Sequence, residues 1–200
     1  DVFPHTRGEI VGFGTPVNRF AQYQQHHIMD TSAIAGKAQE YDLSIYSIVK
    51  YFQLCMENNP NMIDSLFVPR RCILYSTQVG ELVRENRKQF LHKGSWHKFK
   101  GYAYSQLHKA ENSVPQEGTK RRADYDKHGY STKFAYHVVR LISEVEKILV
   151  EGDLDLTRNR EQLKAIRRGE WAKEQLIEYF NSKEKHLESL YVSSNLRQKP

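Results

Sequence analysis

Regular alternation of apolar and polar positions is clearest from Glu40 to Tyr46, where Tyr41, Leu43 and Ile45 interleave with Glu40, Asp42 and Ser44. That period of two predicts a strand with one buried face. From Ile45 the period changes. Ile48, Val49, Phe52, Cys55 and Met56 fall at three-and-four spacing, which predicts a helix following the strand almost without a loop and running to about Asn58. Asn59-Pro60-Asn61 stops that helix, and Asn61 is placed to cap a short turn from Asp64 to Phe67. Beyond Val68-Pro69, Cys72 to Tyr75 reads as a last short strand, with Ser76 or Thr77 capping a helix to about Leu91.

The second half of the pattern is helical. Phe99, Ala103, Gln106, Leu107 and Ala110 form a stripe on a helix from Trp96 to about Glu111. Residues 112–130 carry no apolar period and read as a long polar connection. Ala135, Val138, Val139, Ile142, Val145 and Leu149 then mark a strong helix from Ser131 to Val150, ended by Gly152. A short helix through Leu163 and Ile166 stops at Gly169, and a last one spans about Trp171 to Tyr191. Before residue 37 the pattern is weakest, with Ile10–Phe13 and Val17–Tyr23 as short strands about the turn Gly14-Thr15-Pro16. The expected class is α+β: a mixed core over residues 1–75, then a helical region over 76–200.

Composition adds a bias toward anionic partners. Two hundred residues with 39% hydrophobic and 27% charged positions describe an ordinary globular chain. A formal charge of +6 favours a nucleotide, a nucleic acid or a phosphorylated substrate. No apolar run reaches the length of a bilayer crossing and nothing resembles a secretory leader, so a cytoplasmic location away from membranes is expected. Cys55 and Cys72, both in apolar surroundings, are expected to be buried thiols in a reducing compartment.

Candidate chemistry begins with Asp42, a carboxylate on the strand's polar face at the strand-to-helix corner, with Glu40 on the same face as its competitor. One carboxylate cannot by itself clamp two magnesium ions. Gly12-x-Gly14 lacks the strand-turn-helix setting of a phosphate loop, and His26-His27, adjacent on a strand, should diverge to opposite faces as surface residues. Arg84, Arg87, Lys88, Lys93, Lys98 and Lys100 crowd one stretch with Trp96, His97, Tyr102 and Tyr104 interleaved. Such a mixture suits nucleotides or single strands, or else a solvated helix face over core aromatics. Lys133, His137 and Arg140 align on one helix face with Glu144. Either an anion sits there, or a carboxylate such as Glu144 satisfies part of the charge. Asp124-x-Asp126 and Asp153-x-Asp155 have paired-carboxylate spacing but the wrong local setting.

Several segments, in order, resemble one family: Asn59-Pro60-Asn61 with Leu66-Phe67-Val68-Pro69; His97-x-Phe99-x-Gly101-Tyr102-Ala103-x-x-Gln106-Leu107; His128-Gly129-Tyr130-x-x-Lys133-x-Ala135-Tyr136-His137-x-x-Arg140-Leu141; and Ile166-Arg167-x-Gly169-Glu170-Trp171. Together they resemble the nucleotidyltransferases of the DNA polymerase beta superfamily, in the phage and bacterial group linked to RNA repair, over roughly residues 10–200. The resemblance implies a small mixed sheet with flanking helices and a helical C-terminal part. It also implies transfer of a nucleoside monophosphate from a nucleoside triphosphate such as ATP to an acceptor hydroxyl, with two Mg2+ ions. Asp42 matches the third carboxylate, binding the catalytic ion and helping to deprotonate the acceptor.

The resemblance makes Lys133, His137 and Arg140 expected contacts to phosphates, with His97, Lys98 and Lys100 as further candidates. Neutralising Lys133 and Arg140 is expected to weaken nucleotide binding without unfolding their helix. The family's glycine-serine turn and Asp-x-Asp strand are expected upstream of Asp1, so residues 1–200 alone should be inactive. Three functions remain open: a nucleotidyltransferase acting on RNA, protein or a small molecule; a catalytically silent RNA- or protein-binding module; or one half of a toxin–antitoxin or defence pair.

Overall fold

The computed structural model describes residues 21–30 and 39–199. Ile10–Phe13, Gly12-x-Gly14 and all but the end of Val17–Tyr23 lie outside them. Two compact units result, the first ending at Cys55 and the second beginning at Met56.

In the first unit, β1 (Gln22–Asp30) pairs antiparallel with β2 (Gln39–Tyr46), and α1 (Ile48–Met56) follows. Ser47 begins that helix, its Oγ accepting the Lys50 N–H at 3.2 Å. The ladder runs in register from Gln22↔Tyr46 to Gln25↔Leu43, then slips, so that it resumes at Ile28↔Tyr41. His26 and His27 together therefore oppose Asp42, a bulge, and His27 adopts φ of 58°. The face expected to be buried is only partly covered, with Tyr41 45% and Leu43 37% exposed. Strand pattern alone reports which residues share a face, not whether another layer covers it.

The second unit contains α2 (Pro60–Phe67), α3 (Gln78–Glu85), α4 (Ser95–Asn112), α5 (Lys120–His128), α6 (Thr132–Glu151), α7 (Arg160–Arg167) and α8 (Lys173–Ser193). Helix α6 is its axis, in contact with α4, α7 and α8. Val138, Val139, Ile142, Val145 and Ile148 of α6 are fully buried, as are Trp96, Phe99 and Ala103 of α4 and Phe180 and Leu187 of α8. Truncating any one large member, such as Ile142→Ala, costs about 2–5 kcal/mol by transfer and cavity terms. The end of the chain returns to this core, since Ser194 Oγ donates to Leu149 O at 2.7 Å and Lys93 N–H donates to Arg197 O at 2.9 Å.

Several expectations are corrected. Helix α2 is capped two residues earlier than expected: Asn59 Oδ1 accepts the N–H groups of Asn61 and Met62, with Pro60 at the first helical position. Cys72–Tyr75 is no strand. A 3-10 turn spans Arg70–Cys72, Leu74 and Tyr75 are exposed, and so is Cys72. Helix α3, capped as expected by Thr77, ends at Glu85, and a 3-10 turn (Arg87–Phe90) completes the run. Within 112–130 lies α5, opened by Thr119, whose Oγ1 accepts the Arg122 N–H, and closed by Gly129 at φ of 75°. Its polar sequence Lys-Arg-Arg-Ala-Asp-Tyr-Asp-Lys-His has no apolar stripe, so only its caps announce it.

Candidate functional site

Asp42 stands on β2 opposite the bulge. The bulge turns the His27 N–H onto Asp42 Oδ1 at 3.1 Å and brings His26 Nδ1 to 3.4 Å from the same oxygen. His27 Nδ1 meanwhile contacts Glu40 Oε1. The two adjacent histidines thus reach two carboxylates two residues apart on the partner strand, where an unbulged strand would have sent them to opposite faces. The His27 hydrogen bond holds the Asp42 carboxyl below its ordinary range, outweighing the opposing desolvation, with the His26 charge adding to it. With its side chain 67% exposed, Asp42 is an open, ionised oxygen donor. That chemistry fits a hard cation such as Mg2+ as one ligand of several. Among the described residues, no group of three or more His, Cys, Asp or Glu side chains is arranged to hold a metal ion.

On α6 the three expected phosphate contacts separate. Arg140 Nη1 pairs with Asp64 Oδ2 of α2 and lies 3.7 Å from Glu144 Oε1 one turn on. Glu144 is buried. Burial raises the Asp64 and Glu144 carboxyls above their ordinary values, and Arg140 works against it. The charge of Arg140 is therefore balanced inside the protein by Asp64 and Glu144, so neutralising it is expected to cost stability as well as any phosphate contact. His137 is not a third cation near neutral pH. Burial, then the charges of Arg140, Lys133 and Arg167, lower it to about 4. Lys133 makes no ion pair among the described residues.

The α4 cations turn elsewhere. Lys100 Nζ sits 2.8 Å from Glu184 and 2.7 Å from Glu188 of α8, and 5.2 Å from the centre of the Trp96 ring. Tyr104 OH donates to Glu184 at 2.6 Å. Lys98 pairs with Glu57 at 3.2 Å, and the His97 ring meets Tyr191 edge-on at 4.9 Å. Lys100 thus ties α4 to α8, whereas Arg140 ties α6 to α2, so these candidates do not converge. The Asp-x-Asp decoys are accounted for locally: Asp124 Oδ2 accepts from Thr132 N and Oγ1, and Asp155 Oδ1 from Thr157 N and Oγ1.

The motifs His128-Gly129-Tyr130 and Ile166–Trp171 do meet. Tyr130 OH donates to Trp171 O at 2.6 Å. Gly169, at φ of 76°, lies against the His128 ring where a Cβ would overlap it. Arg167 Nη1 donates to the buried Thr132 Oγ1 at 3.1 Å. This junction opens onto a cleft of about 720 Å3 that sequence reasoning missed, walled by Arg71, Tyr136, Arg160, Lys164, Arg167 and Arg168 among others, with no carboxylate in the lining. A signal was available: Arg160, Lys164, Arg167 and Arg168 recur at helical spacing, on the side of α7 that Leu163 and Ile166 leave free.

No helix among the described residues is long and apolar enough to cross a membrane. No curated protein and no solved structure matches the chain. The family model described as RNA repair pathway DNA polymerase beta family matches residues 26–193, from the bulge histidines to the end of α8. That match takes in Asp42, the α6 face and the basic cleft, and the chain belongs to the RNA repair pathway DNA polymerase beta family.

Proposed function

We propose that this chain acts as a magnesium-dependent nucleotidyltransferase, which moves a nucleoside monophosphate from a nucleoside triphosphate to an acceptor hydroxyl. The family places it in a polymerase-beta-like nucleotidyltransferase superfamily. What carries the finer reading is Asp42: open, held ionised by the His27 amide, and inside the matched region. The acceptor oxygen forms a bond to the α-phosphorus as the bond to the β-phosphate bridging oxygen breaks, and pyrophosphate leaves. The acceptor proton departs to a carboxylate or to water. A bound Mg2+ would neutralise phosphate charge and lower the pKa of the acceptor hydroxyl. Asp42 would supply one of its oxygen ligands and a hydrogen-bond acceptor for the hydroxyl proton, with Glu40 beside it. The reading requires two further carboxylates beside Asp42 to complete a two-ion site.

The test is to incubate the full-length protein with Mg2+ and each α-32P-labelled nucleoside triphosphate, with and without RNA, and to follow pyrophosphate release and label transfer. Transfer in wild type and its loss, by about 10²-fold or more, in Asp42→Asn are expected, as for removal of an electrostatic stabiliser. Full turnover in Asp42→Asn removes Asp42 from the mechanism. No turnover with any triphosphate or RNA favours the silent binding module, which the carboxylate-free basic cleft also suits.

A further inference from the structure

We propose that the cleft formed by α7, Tyr136 of α6 and the Arg70–Cys72 turn is a binding site for the phosphodiester backbone of a single-stranded RNA. The assignment deepens the transferase reading by choosing RNA among the acceptors, and rests on that reading only for the role of the strand.

The cleft concentrates one sign of charge. Five cations line it, Arg71, Arg160, Lys164, Arg167 and Arg168, and no carboxylate does. Lys164 and Arg168 are each matched by a neighbour on the same segment, Glu161 at 2.8 Å and Glu170 at 2.5 Å. Arg71, Arg160 and Arg167 have no ion-pair partner among the described residues. Elsewhere in this unit, Arg140, Lys100 and Lys183 each sit against a carboxylate. Three arginines without an ion-pair partner lining one concavity that holds no carboxylate build a field that an anion relieves.

Geometry selects a strand rather than a single phosphate. Arg160, Lys164 and Arg167 lie along one face of α7, spread over about 10.5 Å of helix axis, and Arg71 faces them from a separate element. Arginine suits phosphate oxygens because its planar fork donates two parallel hydrogen bonds. Arg167 is positioned in advance: Thr132 Oγ1 receives its Nη1, and that hydroxyl donates to Asp124 at 2.8 Å. The Tyr136 ring and the side chains of Leu156 and Leu163 give the lining an apolar part on which an unpaired base can stack. The family description, which names an RNA repair pathway, selects RNA as the strand.

The test is binding of a 5′-fluorescein unstructured RNA, about 20 nucleotides long, followed by anisotropy in EDTA from roughly 50 to 300 mM salt. Nucleotidyl transfer is silent there, so failure of the cleft and failure of the transferase reading are told apart. Wild type is expected to bind with an affinity falling as salt rises. The triple variant Arg71→Gln/Arg160→Gln/Arg167→Gln is expected to bind at least about 30-fold more weakly, its salt slope shallower by about 0.7 for each phosphate it no longer neutralises. Lys185→Gln on α8 serves as a control for removal of a cation outside the cleft and should change affinity less than twofold. All three arginines are exposed, and the triple variant gives up only the Arg167 hydrogen bond to Thr132, so it should remain folded by circular dichroism, and the charge-retaining Arg→Lys triple should keep most of the salt slope.

RNA affinity in the glutamine triple within twofold of wild type overturns the site. So does displacement of RNA by inorganic triphosphate at micromolar concentration, which would make the cleft a triphosphate pocket. A DNA strand of the same sequence bound tenfold tighter than RNA overturns the choice of RNA.

Discussion

Arg140 offers the sharpest test of how the second unit is held together. Its guanidinium bridges Asp64 of α2 and Glu144 of its own helix, and Asp64 Oδ1, Glu144 Oε2 and Arg140 Nε have no further hydrogen-bond partner among the described residues. Replacing Arg140 by Met keeps much of the volume and leaves the Asp64 and Glu144 carboxylates without the guanidinium that bridges them. Removing one partner of a buried ion pair costs about 3–5 kcal/mol. At roughly 2–4 °C per kcal/mol for a domain of this size, Tm should fall by about 6–20 °C. The pH dependence follows from the carboxyls, whose folded values burial has raised. Their contribution is full below the unfolded carboxylate range and is lost as pH rises through the raised values. Without Arg140 those values rise further, so the deficit should be larger at about pH 7.5 than at about pH 5. Urea unfolding at both pH values measures it, and adding Asp64→Asn and Glu144→Gln should recover most of the loss. A deficit under about 1 kcal/mol at the higher pH, or one equal at the two pH values, would refute this account of the network.

Other outcomes follow from single contacts. The His137 imidazole should titrate near pH 4 by NMR and move upward in Lys133→Gln or Arg167→Gln. Its folded value lies below its unfolded one, so stability tied to it is full above about pH 6.5 and declines as pH falls toward 4. The fall from 6.5 to 4 corresponds to about 3.4 kcal/mol at most, and solvent at the half-buried ring reduces that to about 1–2; an unchanged acid limb in His137→Gln would count against it. Gly169→Ala meets the His128 ring at a left-handed φ and should cost more than about 2 kcal/mol, whereas Gly129→Ala, with open space around it, should cost about 1. Equal losses in urea would discount the His128 contact. In the native protein Cys72 should react with a thiol reagent within minutes and Cys55 should not, because Cys55 is buried and raised to about 11; labelling of both at one rate would contradict that burial.

Much of the fold was determined by the sequence itself. The apolar stripes of α4 and α6, the Thr77 cap and the stops at Gly152 and Gly169 are local signals, set by side-chain period and backbone freedom within one or two turns. The ordered motifs were enough to point to the family. Where local chemistry carried no hydrophobic period, as in α5, the helix stayed hidden until its caps were seen at both ends.

Tertiary structure alone decided what each charge does. Lys133, His137 and Arg140 share one helix face in sequence, yet Arg140 is consumed by Asp64 from 76 residues away, His137 loses its proton to burial and neighbouring cations, and Lys133 makes no ion pair among the described residues. His26 and His27 reach Glu40 and Asp42 through a bulge that strand periodicity does not encode. Arg71 faces Arg160 and Arg167 only because the 3-10 turn and α7 come together from distant parts of the chain. A charge's effect depends on distance, dielectric and partners, and these are properties of the folded molecule that no spacing along the chain contains.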